Sequence, residues 1–113
     1  MKTRVRVTLA DDGGREFFGA GVAELLGRID RAKSIQGAAR EMELSYVKAL
    51  RILKGAEEGL GVALVERRKG GFERGGAVLT GGARRALATY ARVEEAAKGA
   101  AEAALKAEGG GDA

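Results

Sequence analysis

KSIQGAAREMELSYVKALRILK, residues 33 to 54, decides the fold. Ser34 is placed to cap a short helix whose inward face would be Ile35, Ala38, Ala39 and Met42. A turn at Glu43-Leu44 follows, and Ser45 then caps a third helix, with Tyr46, Ala49, Leu50 and Leu53 turned inward and Val47, Lys48, Arg51 and Lys54 outward. Small or apolar residues fill the internal positions Ala38, Met42, Leu44, Ala49 and Ile52, which is the helix-turn-helix pattern. Apolar helix pairs are common, so the pattern needs support from its neighbours.

That support lies immediately downstream. Gly59 and Gly61 end the third helix, and Val62 to Arg67 reads as a strand. Lys69 to Gly76 is a glycine-rich basic hairpin loop, and Ala77-Val78-Leu79 is the returning strand. Helix, turn, helix, strand, basic loop, strand is the order of a winged helix-turn-helix.

Upstream, Arg4-Val5-Arg6-Val7-Thr8-Leu9 alternates polar and apolar residues, and Asp11-Asp12-Gly13-Gly14 is a turn cluster before Arg15-Glu16-Phe17-Phe18, so a short β-hairpin is expected. Val22, Leu25, Leu26 and Ile29 form one stripe of a first helix running to about Lys33. Thr80 caps a long alanine-rich helix over 81–106, with a stripe at Leu87, Tyr90, Val93, Ala97, Ala101 and Ala104. Such a helix overruns a small domain, so its far end needs a partner or frays. The expected class is mostly α with small β elements. The expected organisation is one domain over 1–106, with helix-turn-helix 34–58, wing 62–79 and a C-terminal dimerisation helix, followed by a flexible glycine-rich tail at 107–113.

The chain has 113 residues, enough for one core. It contains neither Cys nor His, which excludes disulfides, zinc fingers and Ser-His or Cys-His catalysis. Asp11-Asp12 and Glu57-Glu58 are close carboxylate pairs, but neither has a convergent partner, and the loop glycines lack the Gly-Lys-Ser/Thr of a phosphate-binding loop. No enzyme and no cofactor are expected. No apolar run suits a membrane span or a signal peptide, so a cytoplasmic location is expected.

Charge is uneven. Residues 45 to 92 carry ten bases and four acids, net +6, whereas residues 93 to 113 carry two and five, net −3. A basic block on one face is the footprint of a polyanion partner, since Lys and Arg displace counterions from phosphates; the alternative is a solvated surface.

KSIQGAAREMELSYVKALRILKGAEE, then LVERRKGGFERGGAVLT, resembles the N-terminal DNA-binding domain of the ModE-type, molybdate-responsive transcriptional regulators, which are related to the LysR-type winged helix. The resemblance runs from about Val5 to Val93. It rests on Ala38-Ala39, Ser45-Tyr46, Leu64-Val65-Glu66-Arg67 with the paired glycines, and Ala77-Val78-Leu79-Thr80. It departs from the pattern at Glu43, where Gly is usual, at Leu50, where an aromatic is frequent, and at Gly81, where Pro commonly follows Leu-Thr. The resemblance implies a homodimer. Family members that sense molybdate do so through further C-terminal domains; no ligand-binding domain is expected in this chain.

Sequence-specific binding of double-stranded DNA by a transcriptional regulator is therefore the leading expectation. Its candidate contacts are Ser45, Tyr46, Val47, Lys48, Arg51 and Lys54 on the third helix and Arg67, Arg68, Lys69 and Arg74 on the wing. Ser45 serves as a cap in either case, and Tyr46, by its spacing with Ala49, Leu50 and Leu53, reads as core in preference to contact. Phe72 either inserts beside sugars or folds back. Arg84, Arg85 and Arg92 are backbone clamps or ordinary surface. Two other readings stand: a winged-helix module that binds a protein or pairs with another regulator, and non-specific coating of DNA.

Overall fold

A computed structural model describes the backbone of residues 1–70 and 73–109, with side chains described except over 69–75. The elements in chain order are β1 (Leu9–Ala10), β2 (Glu16–Phe18), α1 (Ala20–Ala32), α2 (Ile35–Glu41), α3 (Tyr46–Leu60), β3 (Val65–Gly70), β4 (Glu73–Leu79) and α4 (Gly81–Ala107). β1 pairs antiparallel with β2, and β3 with β4.

Side-chain caps open three of the four helices where Ser or Thr precedes them. Ser34 Oγ accepts from Gly37 N–H at 2.9 Å, Ser45 Oγ from Lys48 N–H at 3.0 Å, and Thr80 Oγ1 from Ala83 N–H at 3.0 Å. Each satisfies an amide that the first helical turn leaves without a partner, and each stabilises its helix by about 1 kcal/mol.

The core is aliphatic. Phe18, Leu25, Leu26, Ile29 and Leu64 are its largest fully buried side chains. Ala38, Ala39, Ala49, Ala56 and Ala83 are buried without bulk, which lets the helices approach closely. Tyr90 closes the core from α4. Its ring packs at a tilt on Phe18, centroids 5.2 Å apart, and its hydroxyl donates to the Val7 carbonyl at 2.8 Å.

The N-terminal strand differs from expectation. Only Leu9 and Ala10 join the ladder; Arg4 to Thr8 form no sheet. Their alternation survives, with Val5 and Val7 half-buried and Arg4, Arg6 and Thr8 exposed, because the segment lies along α4 instead of along another strand. A period of two specifies an extended backbone and one apolar side, not what that side meets.

α4 projects from the rest. Its 27 residues span about 40 Å, and the molecule measures 61 × 30 × 23 Å with a radius of gyration of 17.1 Å, against about 13 Å for a compact chain of this length. Beyond Tyr90 no described residue is buried. The expected stripe is corrected there: Ala97 and Ala101 are half-buried, but Val93 and Ala104 are exposed, and Glu94 and Leu105 take the half-buried positions. Met1, Lys2 and Thr3 line a cleft with Glu102, Leu105 and Lys106, so the N-terminal segment reaches the far end of the helix.

Two further boundaries move. β3 begins at Val65, not Val62, because Ala63 O and Leu64 O accept from Thr80 (Oγ1 at 2.6 Å, N at 3.0 Å) and Leu64 N–H donates to Glu57 Oε2 at 2.8 Å. α3 runs to Leu60, with Gly61 at φ 74° as its cap, so Gly59 lies inside the helix and does not end it. Among the described residues no helix is long and apolar enough to cross a membrane, and no group of three potential ligands could hold a metal ion.

Candidate nucleic-acid interface

α2 hands over to α3 through a tight Schellman turn. Leu44 N–H donates to Ala39 O at 2.8 Å and Glu43 N–H to Arg40 O at 3.1 Å, the 6→1 and 5→2 bonds of that motif. The motif requires a left-handed residue, and Glu43 supplies it at φ 57°. The missing glycine therefore costs strain. Lys33, also at φ 57°, ends α1, and its carbonyl accepts from Ala77 N–H of β4 at 2.9 Å, tying the root of the wing to the helical part.

The turn presents the face of α3 opposite its buried residues Ala49, Leu53 and Ala56. At 100° per residue, Val47, Arg51 and Lys54 fall within about 60° of one another, and Lys48 lies beside them. All four are exposed, Val47 by 62%. Tyr46, read inward by spacing, is 40% exposed, while Leu44 of the turn packs against the core. Ser45 is exposed and engaged as the cap.

The wing extends further than a simple loop over 69–76. β3 and β4 pair from Val65↔Leu79 through Arg68↔Gly76 to Gly70↔Glu73, with an irregularity between Arg68 and Gly70. Neighbouring strand residues point to opposite sides, which separates two candidates. Arg67 joins Lys54, Leu50, Leu53, Glu57, Val65 and Ile35 around a cleft between α3 and β3, whereas Arg68 faces away. The side chains of Lys69 and Arg74, and Phe72 altogether, lie outside the described residues.

Ion pairing engages five of the described cations and leaves the candidates on α3 and β3, like Arg31, Arg40, Arg85 and Arg92 elsewhere, without a described acidic partner. The salt bridges among described residues use Arg15, Arg28, Lys33, Arg84 and Lys98. Lys48, Arg51, Lys54, Arg67 and Arg68 pair with no described carboxylate. Glu57 is occupied by the Leu64 amide and Glu58 sits 3.6 Å from Arg15, so neither acid of α3 neutralises its exposed face. The Asp11 carboxylate accepts from the Gly13 and Arg15 amides and serves its own turn.

Sequence reasoning missed the contribution of the β1–β2 hairpin, which packs on α3 from the side opposite the wing. The Phe17 ring lies over Gly59, and Arg15 donates to Gly55 O at 3.2 Å. Glycines four residues apart in a helix were the available signal.

These elements define a winged helix-turn-helix with an N-terminal hairpin and a long C-terminal helix. Among solved structures, the chain is similar to CbnR_DBD in its crystallised complex with DNA: TM-score 0.57 at 23% identity, over 78% of this chain and 95% of that one. At that identity the likeness defines the fold. No family model matches the chain, and no curated protein does.

Proposed function

We propose that the chain is a transcriptional regulator that binds double-stranded DNA sequence-specifically as a homodimer. The observation that carries this is the exposed face of α3, where Lys48, Arg51 and Lys54 stand without a described acidic partner, with Arg67 of β3 across the cleft. The N-terminal turn of α3 enters the major groove, Arg51 reads a guanine through two hydrogen bonds, and Lys48 and Lys54 meet flanking phosphates. Ser45, Tyr46 and Val47 lie at the leading end, where helix amides favour an anion. Arg67, on the α3 side of the wing, takes a backbone contact, joined by Lys69 and Arg74 as charges of the same sign, and Arg68 on the other face of β3 adds charge without a contact of its own. The winged fold shared with CbnR_DBD, crystallised as a DNA complex, supports this reading.

Residues 1–106 act as the binding unit, with the helix-turn-helix at 34–58 and the wing at 62–79. The dimer is supported by the projecting half of α4, where Thr89, Val93, Ala96, Ala100 and Ala103 form an exposed stripe at alternating spacings of four and three. A two-fold dimer places half-sites about 10 base pairs apart or at multiples of that. The link to molybdenum metabolism rests on the family resemblance alone and is decided by which genes adjoin the bound sites.

The test is selection of bound fragments from sheared genomic DNA at about 50 and about 150 mM salt. A shared near-palindromic site that persists at the higher salt supports the reading. Bound DNA without a shared site, lost as salt rises, replaces it with non-specific coating. No binding at either salt replaces it with a protein-interaction module.

A further inference from the structure

We infer that the β1–β2 hairpin positions α3 for base reading, with Arg15 and Phe17 as positioning residues that touch no DNA themselves. This rests on the proposed DNA-binding role. The exposed face of α3 lies between two supports. On one flank Leu50, Leu53 and Glu57 face β3, and on the other Ile52, Gly55 and Gly59 face the hairpin.

The hairpin flank is shaped for close approach. A Cβ on Gly59 would fall inside the Phe17 ring, so the ring rests directly on helix backbone. One turn earlier, the Arg15 guanidinium bonds the Gly55 carbonyl at 3.2 Å and reaches Glu58 at 3.6 Å. Phe18, the next residue of β2, is buried in the core against Tyr90, so the hairpin is itself anchored. The anchored hairpin thus grips α3 at Gly55 and Gly59, while Lys48 and Arg51 project from the turns before the grip and Lys54 stands next to it, with Arg51 bordering the hairpin cleft.

The separation makes the grip a lever. From Gly59 to Arg51, the proposed base reader, is about 12 Å along the helix, so a tilt of about 5° moves it by about 1 Å. Donor–acceptor distances in hydrogen bonds tolerate only about 0.5 Å, whereas attraction to phosphates extends over about 10 Å. Loosening the hairpin should therefore erase base discrimination and leave phosphate binding largely intact.

The experiment measures affinity for a duplex carrying the selected site and for a scrambled duplex, using the full chain and its variants Arg15→Gln, Phe17→Ala and Gly59→Ala. Thermal melts establish that each is folded at the assay temperature. Arg15 is half-exposed, so its replacement keeps the test decisive if Phe17→Ala fails to fold. The expected result is a loss of about tenfold or more on the selected site, with scrambled-duplex affinity and salt slope changed by less than about twofold. Equal losses on both duplexes, or an unchanged ratio in folded variants, overturn the inference and leave the DNA-binding reading standing. A parent chain with no preferred site overturns both.

Discussion

Asp30, in the last turn of α1, accepts two hydrogen bonds from the guanidinium of Arg84, in the first turn of α4, at 3.0 and 3.5 Å. This gives Arg84 a structural partner that its place in the basic block did not reveal. The Arg84 hydrogen bond holds the Asp30 carboxyl below its ordinary value of 3.8, against the opposing effect of burial. A depressed carboxyl stabilises the fold above its unfolded pKa, and that contribution is lost as pH falls through the folded value. Asp30→Asn should therefore lower the melting temperature at pH 7, and the gap to the parent should close as pH is taken below about 3.8. A gap unchanged at pH 2.5 to 3 would show that the pair contributes nothing through its charge.

Glu43 holds the left-handed position of the turn at φ 57°. Replacing it with Gly removes strain of about 1 to 2 kcal/mol but adds about 0.5 to 1 kcal/mol of chain entropy to be lost on folding. Glu43→Gly should stabilise the protein by about 0.5 to 1 kcal/mol, raising the melting temperature by a few degrees. Urea melts with an unchanged m-value would attribute the gain to the native turn.

Lys48→Ala with Arg51→Ala should weaken binding to the selected site by about 1 to 3 kcal/mol and relax its base preference. Arg67→Ala should instead weaken binding to all sequences alike and reduce the salt slope by about one. Competition binding at several salt concentrations separates the two. If Arg67→Ala changed base preference and the helix variant did not, the wing would be the reader.

Val93 and Ala100 stand on the open stripe of α4, Val93 at 42% exposure. Val93→Glu with Ala100→Glu should convert the proposed dimer to a monomer with an unchanged melting profile of the helical core. Sedimentation equilibrium reads the change directly, and a parent chain that sediments as a monomer at tens of micromolar would end the dimer reading.

Tyr90→Phe keeps the ring against Phe18 and deletes the bond to Val7. It should cost about 1 kcal/mol and speed tryptic cleavage at Arg4 and Arg6. Burial, reinforced by Glu94, pushes the Tyr90 phenol above its ordinary 10.0. The unfolded chain then ionises first, so the parent's stability should fall as pH rises past about 10, with the Phe variant showing less of that fall.

What was legible along the chain was local. The caps at Ser34, Ser45 and Thr80, the helical periods of α1 to α3 and the strand-and-glycine pattern of the wing each follow from a few consecutive residues, whereas the special position of Glu43 showed only through the family resemblance. Their physics acts within one or two turns of backbone. The exposed cations of α3 were legible for the same reason, since helical periodicity alone sets them opposite Ala49 and Leu53. Tertiary structure decided the rest. It laid Arg4 to Thr8 beside α4 and not into a sheet, left Tyr46 exposed, paired Arg84 with Asp30, and seated Phe17 on Gly59. Each outcome depends on which distant surface fits, and an apolar side or a free charge specifies that it needs a partner without saying which one.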